Sequence, residues 1–138
     1  MTIRLLLFAL VSGVLFSAGV EWILQKKPFL TIRSKSARES FTVFVKLSDN
    51  NFGGASERSE LFKLEDALIE AIDESSAGEF DGNEFGGGFA ILYMYGSSAT
   101  KMEKATMPVL TAFHLPVGSY AVKRYGEPGA KEERVELR

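Results

Sequence analysis

The chain has 138 residues, no cysteine and one histidine, and its 16 basic and 18 acidic side chains give a formal charge of −2. Such a length is typical of one domain, and the lack of cysteine excludes disulfides, thiol catalysis and cysteine-ligated zinc. The small net charge conceals an uneven distribution. Residues 1–46 carry seven basic and two acidic side chains, whereas residues 57–84 carry two basic and ten acidic ones.

The N-terminal segment, residues 1–27, is hydrophobic enough to reach a membrane. Its residues 5–24 contain one charged side chain, Glu21, and they match the roughly 20 apolar residues that a membrane-spanning helix needs. Trp22 ahead of the Lys26-Lys27 pair is typical of the membrane–water interface. We therefore expect a retained anchor helix over residues 5–24.

A cleaved signal peptide is the alternative interpretation of this segment, and a buried helix of a soluble protein is a third. Arg4, the apolar run and the small residues from Ser17 to Gly19 meet the requirements of a signal peptide. If the segment is an anchor, the basic residues between Lys26 and Arg38 outnumber Arg4 and the amino terminus. This excess slightly favours a cytoplasmic domain, whereas a signal peptide would place the domain in the periplasm or outside the cell.

Residues 28–39 are polar and basic and predict a tether or an edge segment, with a possible short strand at 29–33. The folded domain is expected over residues 40–138. It begins with a strand at 41–47, in which apolar and polar side chains alternate. Over Ser59–Ser75 the apolar period changes to that of a helix whose acidic side chains lie mostly on a solvated face.

The sequence pattern in the second half of the domain predicts three or four further strands and one helix. Ser97 or Ser98 is expected to cap that helix, and Pro108 is expected to kink it or to split it at Met107. The predicted elements are strands at 79–85 and 89–95 joined by a glycine turn, a helix from about 98 to 113, a strand at 119–125 and a possible short strand near Val135 and Leu137.

This order of elements indicates a fold class. Strand, helix, strand, strand, helix, strand is the βαββαβ pattern of ferredoxin-like sandwiches. Two helices then cover one face of an antiparallel sheet, and the opposite face is open to solvent or to a partner. We therefore predict an α+β, ferredoxin-like domain preceded by a hydrophobic helix.

The glycine-rich stretch 78–88 is the densest local signal. Asp81, Asn83 and Glu84 have the oxygen ligands that a hard cation prefers, but an EF-hand loop counted from Asp81 has Leu92 at its twelfth position, where a glutamate is required. A β-hairpin explains the glycines better. No phosphate-binding loop fits either, since a strand rather than a helix follows the glycines.

Catalytic candidates are weak. His114 is the single imidazole, and no Gly-x-Ser-x-Gly element accompanies it. Asp81, Glu84 and His114 are the residues that a small hydrolase or a metal-dependent enzyme would use. The sequence predicts no cofactor and no metal ion.

The open face of the predicted sheet is the better candidate for function. We expect Phe44, Tyr93 and Tyr95 on this face, together with Tyr125 and Lys123. Aromatic and basic side chains together are typical of RNA-binding sheets, but the RNP1 pattern is absent and residues 57–84 sum to −8, which makes nucleic acid unlikely. A protein partner or a second copy of the chain fits such a face better.

Several short motifs resemble a family of small uncharacterised bacterial α+β proteins. The motifs are Gly78–Gly88 with Leu92–Gly96, then Pro108–Leu110, Lys123–Gly126 and Pro128–Ala130. The resemblance covers about residues 40–137 and implies a bacterial source and a compact α+β domain. It implies no catalytic residue, and the hydrophobic N-terminus lies outside it.

Overall fold

A computed structural model of the chain describes residues 38–137, which form an antiparallel sheet of five strands with two helices. The predicted anchor or signal segment and most of the tether, with its possible strand at 29–33, lie outside the described residues. Within residues 38–137, no helix has the length and apolar character needed to cross a membrane. The elements are β1 (Glu39–Lys46), α1 (Ala55–Ser75), β2 (Glu79–Gly86), β3 (Phe89–Gly96), α2 (Ala99–Ala112), β4 (Tyr120–Arg124) and β5 (Glu132–Glu136).

The strands lie in the order β2-β3-β1-β4-β5, and every neighbouring pair is antiparallel. β1 is central because α1 carries the chain past the position of β3 to β2, and α2 carries it from β3 across β1 to β4. The two helices contact each other and pack on one face of the sheet. The predicted α+β class, with an antiparallel sheet and two helices, is confirmed. β5 adds a fifth strand beside β4.

The core lies between this face and the helices. Alternate residues of β1 and β3 are buried there, as the period of two requires, and each helix contributes one apolar stripe. The largest side chains that are fully buried between the two layers are Phe41, Leu64, Leu68, Ile72, Leu92, Met94 and Met102.

α1 begins at Ala55, four residues before the start that the apolar stripe predicted. The carboxylate of Glu57 accepts hydrogen bonds from the backbone N–H groups of Ser48 (2.9 Å) and Gly54 (3.2 Å). These bonds hold the first turn against the end of β1. The additional turn therefore depends on capping and not on apolar spacing.

α2 is one continuous helix, so the alternative of a split at Met107 is excluded. Ser98 caps it, as expected, and its hydroxyl accepts a hydrogen bond from the N–H of Lys101 at 3.3 Å. Pro108 removes the N–H that would bond to the carbonyl of Lys104. Both residues are exposed, so water can satisfy that carbonyl and the helix continues.

The glycine-rich stretch forms the predicted hairpin between β2 and β3. Gly87 and Gly88 make its two-residue turn with φ angles of 59° and 80°, which is the combination of a type I′ turn. A Cβ atom at Gly88 would lie 3.0 Å from the backbone oxygen of Asp49. Glycine is therefore required there by the close approach of the loop after β1 as well as by the turn.

Candidate interaction face

The face of the sheet opposite the helices, called here the open face, is lined by half-buried side chains. On β3 the alternation is complete, because buried Ala90, Leu92 and Met94 point to the helices while the residues between them point the other way. No helix among residues 38–137 packs on the open face. Its larger apolar and aromatic side chains are Phe44, Phe89, Ile91, Tyr93, Tyr95, Tyr120 and Val122.

Three aromatic rings form a cluster at one end of this face. Phe44 pairs with Tyr120 across β1 and β4, and their rings stack with centroids 4.6 Å apart and planes 7° apart. Phe89 meets both rings edge-on, with centroid distances of 6.4 Å to Phe44 and 5.9 Å to Tyr120. Such pairs contribute about 0.5–1.5 kcal/mol each beyond the burial of their area, so the cluster is a fixed platform.

Two cations flank the ring cluster. The Nζ atom of Lys46 lies 4.8 Å from the centroid of Phe89, and the guanidinium carbon of Arg134 lies 3.7 Å from that of Tyr120. Arg134 also donates a hydrogen bond from Nε to Glu136 at 2.6 Å. β5 therefore extends the open face with a charged rim beside the aromatic platform.

Tyr93 and Tyr95 lie on β3 at the other side of the open face, toward β2. The hydroxyl of Tyr93 donates a hydrogen bond to Glu84 at 3.0 Å. Burial, and then this bond to a carboxylate, raise the pKa of Tyr93. Arg38 lies over the ring of Tyr95 at 5.7 Å and forms an ion pair with Glu79. Carboxylates on β2 thus border the tyrosines.

The structure places Lys123 and Tyr125 on the opposite side of the sheet from the other predicted residues. Lys123 pairs in register with buried Phe41 and points to the helices, where it forms an ion pair with Glu103 of α2 at 2.9 Å. Tyr125 packs against the core cluster, and its hydroxyl donates to Glu133 at 2.8 Å. Tyr125 is therefore not part of the open face, because its side chain packs against the core cluster.

The catalytic candidates do not form one group. Asp81 is exposed on β2, beside a bulge in its pairing with β3, and Glu84 accepts the hydrogen bond from Tyr93. His114 follows α2 with a φ of 47°, and its Nδ1 lies 2.8 Å from the carbonyl oxygen of Ala112. Within residues 38–137, no three His, Asp or Glu side chains are grouped so that they could hold a metal ion.

A buried carboxylate lies under the acidic edge of the sheet, where the sequence predicted a mostly solvated helix face. Glu65 of α1 is 7% exposed. The side-chain amide nitrogen of Asn83 on β2 is 2.8 Å from both of its carboxylate oxygens. Burial raises the pKa of Glu65, and the bond from Asn83 opposes this effect only in part. The spacing held a signal for this burial, since Glu65 is four residues from Leu61 and seven from Ile72.

The remaining residues of the open face were also accessible to sequence reasoning. Phe89 and Ile91 share the parity of Tyr93 along β3, so the same alternation predicts their side. The side on which Tyr120 and Val122 lie could be assigned only from the register of β4 against β1. The face is thus richer in aromatic and apolar side chains than Phe44, Tyr93 and Tyr95 alone indicate.

Comparison with known proteins finds no relative of this chain. No protein-family model matches the chain, and neither the curated proteins nor the solved structures include a match to it.

Proposed function

We propose that this chain is a non-catalytic protein-binding domain that acts through its open face, with a protein partner or a second copy of itself as the occupant. The observation that carries this proposal is the ring cluster of Phe44, Phe89 and Tyr120, continued across the face by Ile91, Tyr93, Tyr95 and Val122. Aromatic and apolar side chains bordered by charges are typical of the centre of a protein interface.

The proposed location is a membrane surface or the exported compartment. Residues 5–24 support a membrane anchor by their length and by Trp22 with Lys26-Lys27, and a cleaved signal peptide remains the alternative. A bacterial source is part of the proposal through the motif resemblance. The fold is proposed to be ferredoxin-like, supported by the β2-β3-β1-β4 order of its first four strands.

The test is site-specific photo-cross-linking in the native host. A photoreactive amino acid at Tyr93 is expected to give adducts of defined mass, and mass spectrometry distinguishes a second copy from another protein. The matched control is the same amino acid at exposed Glu70 on α1. Adducts of equal yield at both positions, or at neither, would argue against the open face as the binding surface.

A second arm uses Tyr93→Ala with Tyr95→Ala in the full chain. Both rings are half-buried and outside the core, so the fold is expected to survive, which circular dichroism checks. Cross-linking from a probe at Thr42, in the middle of the face, is expected to fall by at least about tenfold, because aromatic anchors dominate such interfaces. An unchanged yield in a folded variant would contradict the proposal.

A further inference from the structure

The outer edge of β2 is a second surface of interest. β2 is the last strand of the sheet and pairs with β3 alone, so within residues 38–137 no strand pairs with its other edge. A strand edge of this kind presents backbone N–H and C=O groups that a further strand can bind. α1 packs beside β2 on the helix side of this edge.

The two sides of β2 differ in chemistry. Glu79 and Glu84 pair with Tyr95 and Ile91 and so belong to the open face. Exposed Asp81 adds a third carboxylate at the bulge.

On the helix side, the ring of Phe85 lies 6.1 Å from that of Phe62 on α1. Phe62 is 49% exposed, and Ile69, seven residues further along α1, is 38% exposed. The edge therefore has carboxylates on one side and exposed apolar groups on the other.

The negative charge around this edge favours a basic partner over a second copy of β2. Residues 57–84, which include most of α1 and most of β2, sum to −8, and residues 38–137 as a whole hold 10 basic and 17 acidic side chains. A second copy of β2 paired with this edge would place carboxylates near carboxylates, which disfavours self-pairing. A basic strand is attracted to the same edge.

We propose that the outer edge of β2 binds an extended segment of another protein in which basic and apolar residues alternate. Side chains of a strand alternate between the two sides of a sheet. The basic residues of the segment therefore lie beside the exposed carboxylates of Asp81 and Glu84, and its apolar residues lie against Phe85 and Phe62. Strand addition of this type combines backbone hydrogen bonds with side-chain selection.

The probe is a fluorescein-labelled peptide of about ten residues, long enough for one strand, in which lysine and valine alternate. It is titrated with the full chain in zwitterionic detergent, and binding is followed by fluorescence anisotropy. Asp81→Asn with Glu84→Gln is expected to weaken binding about fivefold to tenfold, because two charge contacts are lost. Phe62→Ser, at an exposed position, is expected to weaken it about threefold.

The matched control is Glu127→Gln with Glu132→Gln, which removes two exposed charges on the β4–β5 side and is expected to leave the affinity unchanged. A second control peptide has the same composition with all lysines at one end, and it is expected to bind at least about fivefold more weakly. Equal weakening by both double variants, equal affinity for both peptides, or no binding of the alternating peptide would overturn the proposal.

Discussion

Each of the two margins of the sheet buries one ionisable side chain, and the two side chains have opposite kinds of partner. At the β4–β5 margin, Lys123 is 7% exposed and its Nζ lies 2.9 Å from Glu103 and 3.0 Å from Glu133. At the β2 margin, Glu65 is also 7% exposed, and among the described residues Asn83 is its hydrogen-bond partner. One buried charge faces two opposite charges, and the other faces a neutral amide.

The pKa shifts show what this difference does. Burial alone would lower the pKa of Lys123, but its bonds to Glu103 and Glu133 outweigh burial and raise it, which favours the charged form. Burial raises the pKa of Glu65 more than Asn83 lowers it, which favours the neutral form. Both pKa values are raised, but the consequences differ: the raised pKa of Lys123 means that its charged form is stabilised, and the raised pKa of Glu65 means that its charged form is destabilised.

Lys123→Met is expected to give the largest effect. It leaves Glu103 and Glu133 without their shared cation, so we expect the free energy of unfolding at pH 7 to fall by about 2 kcal/mol, measured by urea unfolding. The bonds from Tyr125 and Lys123 lower the pKa of Glu133 below its ordinary value of 4.5, so the loss is expected to shrink only as the pH falls well below that value and Glu133 becomes neutral. Lys101→Met, at an exposed position on α2, is the control. An equal effect of the two variants would show that the ion pairs of Lys123 contribute nothing.

Asn83→Ala is expected to have the second largest effect. Without the amide, the Glu65 carboxylate is buried with no hydrogen-bond donor among residues 38–137, and we expect a loss of about 1 kcal/mol at pH 7. At pH 3.5 the loss is expected to be smaller because Glu65 is then mostly neutral. Urea unfolding at both pH values tests this, and an equal loss at both would mean that the amide does not act through the charge of Glu65.

Glu65→Gln is expected to have the smallest effect and the opposite sign. Because the folded pKa of Glu65 is raised above the ordinary value of 4.5, the ionised carboxylate disfavours the folded state at pH 7. This cost disappears as the pH falls below the ordinary value. The neutral glutamine is therefore expected to stabilise the domain by less than about 1 kcal/mol at pH 7 and to have little effect at pH 3.5. If Glu65→Gln instead lowers the free energy of unfolding at pH 7, the charge of Glu65 stabilises the fold, as the charge of Lys123 does.

Local pattern predicted most of the elements. The period of two marked β1 and β3 to within two residues of their observed ends, because each strand has one buried face. The glycine turn and the Ser98 cap were also predicted, since turn geometry and capping depend on neighbouring residues. The early start of α1 was missed because Glu57 is bonded to Ser48, which lies outside the helix.

The side of the sheet on which each candidate residue lies was predicted only in part. Phe44, Tyr93 and Tyr95 have the parity that places them on the open face, whereas Tyr125 does not share it with Tyr120 and Val122. Sequence alternation divides β4 into two sets of side chains but does not say which set faces the helices. The pairing of Phe41 with Lys123 decides this, and it joins residues far apart in the chain.

The α+β class, the alternation within the strands and the acidic character of residues 57–84 could all be predicted before folding, because they are properties of composition and of short-range spacing. Three features follow only from the packed fold: Glu65 is buried against Asn83, Lys123 lies between two carboxylates, and Phe44, Phe89 and Tyr120 form one cluster. Each of these depends on side chains brought together from different elements by strand order and register. Distances of this kind are set by the packed fold and not by the spacing of residues along the chain.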